Sequence, residues 1–170
     1  RVPGRRDATH ARALVVPADD EEPSWQHREI PEMQYYNVTC HADYAWGYTR
    51  AWHEARYVES ILAALDIMRV HPGYQFQLET KLQQLDPFLK WAREHDSGRI
   101  DELRDRIADG RMEVICALSN PRISEVYGET LVRNMTMGRM FCEEFVPGHR
   151  QVVYDAVDVM PGCSQMPQLC

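Results

Sequence analysis

The chain has 170 residues, of which 44% are hydrophobic and 26% are charged, so it can bury one core of ordinary size. Its 26 acidic residues outnumber the 19 Lys and Arg residues, and the net charge of -7 excludes the basic face that nucleic acids and anionic membranes require. No apolar run approaches the roughly 20 residues that cross a bilayer, and the Arg-rich start lacks the apolar segment of a signal peptide.

Two regions differ in composition. Residues 1–33 run from Arg-rich to acidic without a sustained period, which predicts a flexible leader. Residues 34–170 predict one folded domain. The five cysteines contain no Cys-x-x-Cys pair and cannot all pair internally, so reduced thiols are expected. Together with the missing signal peptide, this favours a cytoplasmic location.

The first elements after the leader are a strand, a helix and a second strand. Residues 35–39 have strand preferences and lead into Cys40-His-Ala-Asp43. Apolar residues at three- and four-residue spacing predict a helix over residues 51–68, which His71-Pro-Gly73 ends. Residues 74–80 alternate apolar and polar side chains, as in a strand.

The order of strand and helix then repeats. Residues 82–94 return to helical spacing, and residues 97–107 predict a polar helix that Gly110 terminates. Residues 112–118 predict the third strand.

The last third of the chain predicts one more helix and strand. Asn120 followed by Pro121 is a candidate start for the helix, and Pro147-Gly148 ends it. A fourth strand over residues 151–157 delivers Asp158 at its carboxyl end. Strands that alternate with helices imply an α/β fold with a parallel sheet, open or part of a barrel, in which functional residues gather at the carboxyl ends of strands.

His41 and Asp43 stand two residues apart at the end of the first strand, where alternation points both side chains to one face. An imidazole nitrogen and a carboxylate oxygen can share a zinc ion. On spacing alone, a histidine hydrogen-bonded to a nearby carboxylate is the commoner arrangement.

Asp158 is a third candidate ligand, because a parallel sheet brings the end of the fourth strand to the same edge. Its alternative role is to form the turn before Pro161-Gly162, and Asp155 is an alternative functional carboxylate.

Trp46 follows the His-Asp pair and is either a platform for a sugar ring or a core residue, burial being the usual outcome for an aromatic side chain. His53, Glu54 and Glu79 are expected to be solvated or structural, without an assigned role.

Four segments, read together, resemble one family. Residues 41–46 (His-Ala-Asp-Tyr-Ala-Trp) resemble the His-x-Asp-x-x-Trp that ends the first strand in glycoside hydrolase family 38, and residues 111–113 (Arg-Met-Glu) resemble the Gly-Arg-Leu-Glu that opens the third. Residues 127–141 are similar in spacing to a family helix. Residues 158–168 are similar to the segment of the nucleophilic Asp. The resemblance covers about residues 34–170, in the family's order.

The resemblance implies a zinc-dependent retaining glycosidase of the α-mannosidase type, with a mannoside substrate and a distorted β/α barrel. It implies that His41, Asp43 and Asp158 bind Zn²⁺, that Asp158 is also the catalytic nucleophile, and that Trp46 lines the sugar site. The family's further zinc-binding His and acid/base carboxylate are expected beyond residue 170, so the chain is expected to be a truncated N-terminal part that can be inactive alone. An incomplete barrel exposes a strand edge, which makes a homo-oligomer a further expectation.

The segment around Asp158 departs from the family pattern. Asp155 stands where the family usually has Trp, and Val159-Met-Pro-Gly162 replaces its Phe-Gly. These departures favour an alternative, a non-catalytic or degenerate carbohydrate-binding relative. A second alternative is a metal-dependent polysaccharide deacetylase, although the second pair of histidines common in such sites is not found at a suitable spacing.

Overall fold

A computed structural model describes residues 38–41, 46–115, 117–121 and 126–149. All of them lie within Tyr36–Cys170, the larger of two units into which the chain divides. The predicted leader, the predicted fourth strand, Asp43 and Asp158 lie outside the described residues.

Three short strands form a parallel sheet in the order β1-β2-β3: β1 (Val38–Thr39), β2 (Phe76–Leu78) and β3 (Met112–Val114). Val38 pairs with Phe76, and Phe76 pairs in turn with Met112. Helices lie between successive strands, as parallel neighbours require. The predicted parallel α/β fold is confirmed, and the barrel stays a prediction.

Helix α1 (Arg50–Val70) joins β1 to β2. The Thr49 hydroxyl accepts a hydrogen bond from the Trp52 backbone N–H at 3.3 Å and caps the first turn. The helix ends where the sequence predicts, at His71 before Pro72-Gly73. One face is buried in the core through residues at helical spacing: Tyr57, Val58, Ile61, Ala64, Leu65 and Met68.

The helical segment after β2 begins with one π-helical turn, Lys81–Leu85, and continues as α2 (Asp86–His95). The Thr80 hydroxyl accepts a hydrogen bond from the Gln83 N–H and caps this turn. The turn is wider than an α-helical one and brings Gln84 back beneath the end of β2.

Helix α3 (Gly98–Ala108) leads into β3 through Gly110, whose φ of +78° is the left-handed conformation expected just after a helix. The core lies where α1, α2 and α3 meet the sheet. Its fully buried members include Leu65, Leu78, Leu85, Phe88, Leu103 and Met112.

Helix α4 (Gly128–Phe145) begins after Tyr127, so the predicted start at Asn120-Pro121 is wrong. Asn134, on the buried face of α4, explains what the segment after β3 does instead. Its side chain accepts hydrogen bonds from the Ser119 N–H and hydroxyl and donates one to the Ser119 carbonyl, so Ser119 is bonded to the side of α4 and does not continue into it.

Within the described residues, none of the helices is both long and apolar enough to cross a membrane.

Candidate functional site

His41 and Glu79 form the centre of the candidate site, at the carboxyl ends of β1 and β2. His41 Nδ1 lies 3.1 Å from Glu79 Oε2 and 3.4 Å from Oε1. The His41 side chain is 34% exposed, whereas that of Glu79 is 0% exposed. The parallel register that pairs Thr39 with Gln77 places the two residues side by side, because each lies two residues further along its strand.

Hydrogen bonds from two neighbouring side chains hold this pair. The one hydrogen of the Thr39 hydroxyl is shared between two acceptors, the Gln77 carbonyl at 3.2 Å and Glu79 Oε1 at 3.4 Å. Gln84 Oε1 accepts from the Glu79 N–H at 2.7 Å, while Gln84 Nε2 donates to the Cys40 carbonyl. One buried amide therefore ties together the backbones of both strand ends, next to both members of the pair.

A cleft of about 680 Å³ opens at this edge, and its lining includes Thr39, Cys40 and His41. Trp46, Tyr48 and Trp52 also line it, and all three are exposed. A volume of this size lies within the range of small-molecule sites, which combine aromatic walls with a few polar groups.

Trp46 is 77% exposed, so the reading of it as a core residue is wrong. Gly47 follows in the left-handed conformation at φ +71°, which turns the chain back toward α1. Buried His53, from α1, has Nε2 3.3 Å from the Trp46 carbonyl and holds the turn in place. Tyr48 and Trp52 stack at 4.2 Å between ring centroids and form the outer rim of the cleft.

Of the predicted site residues, the structure therefore places His41 and Trp46, and it brings both to one cleft. Asp43 and Asp158 lie outside the described residues, and their roles stay predictions. Among the residues that the structure describes, no three His, Cys, Asp or Glu side chains come together as a metal site.

His41 nevertheless fits one ligand position of a zinc site. Histidines that bind metals usually donate their second ring N–H to a carboxylate or carbonyl oxygen, and Glu79 occupies that place. The commoner reading of the sequence, a histidine hydrogen-bonded to a carboxylate, holds as well, with Glu79 as the carboxylate.

Glu79 is the site residue that sequence reasoning missed. It was expected to be solvated or structural, because a Glu that alternates with apolar residues in a strand is usually on the solvent face. In the fold its neighbours are Thr39 and His41 from the end of β1 and Gln84 from the π-helical turn. The available signal was its position, directly after the second strand as His41 follows the first.

A search of curated proteins gives no significant match. Two solved structures from Enterococcus faecalis are similar: a protein in the glycosyl hydrolase family 38 (21% identity, TM-score 0.61) and an alpha-mannosidase (21% identity, TM-score 0.58). They cover 79% and 69% of this chain, which spans only 15% and 13% of theirs. At this identity the likeness establishes a shared fold.

The sequence comparison goes further than the fold, because residues 35–170 match the family described as "Glycosyl hydrolases family 38 N-terminal domain". The matched residues include His41, Glu79 and every strand and helix described above. The chain belongs to the N-terminal domain family of the family 38 glycosyl hydrolases.

Proposed function

We propose that this chain provides the nucleophile side of the active site of a zinc-dependent retaining glycosidase that cleaves α-mannosidic bonds. Family membership makes the protein part of a glycoside hydrolase with a carbohydrate substrate. The observation that carries the finer proposal is His41, held at a strand end by a buried carboxylate and opening on an aromatic-lined cleft.

Three residues are proposed to hold the metal: His41, Asp43 and Asp158. They supply one imidazole nitrogen and two carboxylates, a donor set that Zn²⁺ accepts with room left for substrate. When bound, Zn²⁺ would position sugar hydroxyls and stabilise developing charge. His41 is the member of this set whose surroundings are described, and its geometry supports the assignment.

Asp158 is proposed to act as the nucleophile. Its carboxylate forms a bond to the anomeric carbon while the glycosidic C–O bond breaks, and the leaving oxygen takes a proton from a second carboxyl group. Water then cleaves the glycosyl ester and restores Asp158. In retaining enzymes the two carboxyl groups stand roughly 5 Å apart. We assign no residue of this chain to the second role.

Trp46 is proposed to contact the sugar. Its exposed ring lies on the same cleft as His41, and an indole offers a broad apolar face together with one N–H donor. The cytoplasmic location and the homo-oligomer remain predictions.

Zinc content tests the proposal directly. Purified, chelator-washed protein is expected to retain about one Zn²⁺ per chain by mass spectrometry, because His41, Asp43 and Asp158 supply three of the site's protein ligands, as many as a zinc site needs to hold the ion. His41→Ala and Asp43→Ala should each lose it. His71→Ala is the matched control, since His71 is an exposed histidine before β2, at the opposite end of the sheet.

Variants that keep zinc would contradict the assignment of His41 and Asp43. A folded wild-type protein without zinc would show that these three residues alone do not form the site, either because they are structural here or because the further His expected beyond residue 170 is required. That result would favour the non-catalytic carbohydrate-binding alternative. Release of acetate instead of free sugar from an acetylated polysaccharide would favour the deacetylase.

A further inference from the structure

We infer that Glu79 is the positioning residue of His41: it fixes which ring nitrogen carries hydrogen and holds the imidazole in its orientation. The part of this inference that concerns metal binding rests on the proposed function. The effect of Glu79 on the His41 ring does not. Nothing in the family match or in the structural neighbours assigns a role to Glu79.

The hydrogen-bond geometry carries the first step. Glu79 Oε2 lies 3.1 Å from His41 Nδ1, within hydrogen-bonding distance of an imidazole N–H. An ionised carboxylate is an acceptor only, so Nδ1 must carry the hydrogen. In the neutral ring Nε2 then carries the lone pair, which is the form that a metal ligand needs.

Burial carries the second step. The Glu79 side chain is fully buried, and a buried carboxylate is costly unless hydrogen bonds and charge partners compensate for lost water. Its bonds with His41 and the Thr39 hydroxyl provide part of that compensation. Rotation of His41 away from Glu79 would remove one of them, so the carboxylate holds the ring.

The rigidity of the surroundings carries the third step. Gln84 bonds to the Glu79 N–H and to the Cys40 carbonyl, so the backbones next to both partners are held by one side chain. Gln84 itself is buried within the π-helical turn. His41 and Glu79 each follow a strand of the sheet, and the shared amide restrains the backbone beside both, which favours a precise ligand position.

The metal-free protein tests the inference without any zinc. The ¹⁵N chemical shifts of the His41 ring, recorded at a pH high enough for the ring to be neutral, are expected to show hydrogen on Nδ1 and the lone pair on Nε2. In Glu79→Met, which keeps the length of the side chain and removes the acceptor, the shifts should move to the tautomer mixture of a histidine in an unfolded peptide. Circular dichroism confirms that the variant is folded.

Glu102→Met is the matched control, because it makes the same exchange at another carboxylate of low exposure, on α3, and leaves the His41-Glu79 pair in place. It should leave the His41 shifts unchanged. Hydrogen on Nε2 in the wild type overturns the inference, and so does a folded Glu79→Met variant with wild-type shifts. If Glu79→Met does not fold, the wild-type tautomer alone decides.

Titration with Zn²⁺ against a chromophoric chelator gives the second readout. Glu79→Met is expected to weaken zinc binding by about 10- to 100-fold, the usual effect of losing such a partner, while Glu102→Met changes it by less than about 2-fold. Equal zinc affinity in the wild type and in Glu79→Met would overturn the role of Glu79 in metal binding. If the wild type binds no zinc, the proposed metal site fails, whereas the ring shifts still decide what Glu79 does to His41.

Discussion

Individual side chains at the carboxyl edge of the sheet differ in how well their position could be predicted. The sequence predicts His41 at a strand end, because the strand preference of the preceding residues is a local property of the sequence. The partner of His41 depends on which strand lies beside β1, and that is a tertiary fact. Glu79 and Gln84 were therefore found only in the structure.

Asp158→Asn tests the role of a single carboxylate in catalysis. The substitution removes the proposed nucleophilic carboxylate and keeps its size, so the proposed hydrolysis of an aryl α-mannoside by a longer protein that contains this domain should fall by roughly a thousand-fold or more. The initial rate of aglycone release measures the loss. Asp155→Asn is the matched control and should retain activity.

Unchanged hydrolysis in Asp158→Asn would remove Asp158 from the nucleophile role. Loss of activity in Asp155→Asn alone would show that the alternative carboxylate is the functional one.

Close contact between elements explains one glycine of the family-like helix. A Cβ added at Gly138 of α4 would lie 2.6 Å from the Ala117 carbonyl carbon and 2.8 Å from the Leu118 nitrogen. Both are backbone atoms, so relief requires α4 to move away from the segment that follows β3. The spacing in the sequence identifies the glycine, but only the packing gives the reason for it.

Gly138→Ala is therefore expected to lower the free energy of unfolding by about 1–3 kcal/mol, even though Ala is the better helix former. Chemical denaturation measures it. Gly128→Ala, in the first turn of the same helix with no atom within 4 Å of the added Cβ, should be neutral or slightly stabilising. Equal effects of the two substitutions would contradict the close-packing explanation.

Arg111 links three elements through backbone carbonyls. Its Nη2 donates to the carbonyls of Met68 and His71, both at 2.7 Å, and its Nε donates to that of Tyr74. A cation at the end of α1 satisfies free carbonyls and complements the helix dipole. This gives a physical reason for the Arg in the family-like Arg111-Met-Glu113.

Arg111→Met should lower the free energy of unfolding by about 1.5–3 kcal/mol, the range for hydrogen bonds to a charged group. Arg111→Lys keeps the charge but loses the branched set of N–H donors, so its free energy of unfolding should lie between those of the wild type and Arg111→Met. Arg133→Met is the control, because its pair with Glu129 is exposed and is expected to contribute less than about 0.5 kcal/mol. Thermal denaturation followed by circular dichroism ranks the three variants.

At the scale of the whole described fold, an ion-pair network joins α1 to α3. Glu102 accepts two hydrogen bonds from Arg69, at 2.6 and 2.7 Å, and one from Arg99 at 3.0 Å. Burial by itself raises the pKa of Glu102, but the hydrogen bonds from Arg69 and Arg99 outweigh it and hold the pKa below its ordinary value of 4.5. The carboxylate therefore contributes more to the folded state when it is ionised.

The sign of the pH effect follows from this lowered pKa. The contribution of Glu102 is fully present above about pH 4.5, and it is lost as the pH falls through the lower pKa of the folded state. Glu102→Gln should cost about 1–2 kcal/mol at pH 7, discounted for the exposure of Arg69, and the difference from wild type should shrink below pH 4.5.

Urea denaturation at a series of pH values between 7 and about 3 measures this difference. Glu129→Gln, in the exposed pair with Arg133, is the control and should show little difference at any pH. A gap between wild type and Glu102→Gln that is constant with pH would contradict the ionic origin.

The sequence by itself determined the local features: the alternation of strands and helices, the end of α1 at His71, the left-handed Gly110, and the position of His41 just after a strand. These depend on periodicity and backbone preference, which act over a few residues. Only the tertiary structure decided the exposure of Trp46, the late start of α4 and the burial of Glu79 beside His41. Those depend on which elements come together, because burial and hydrogen-bond partners between strands are properties of the packed chain.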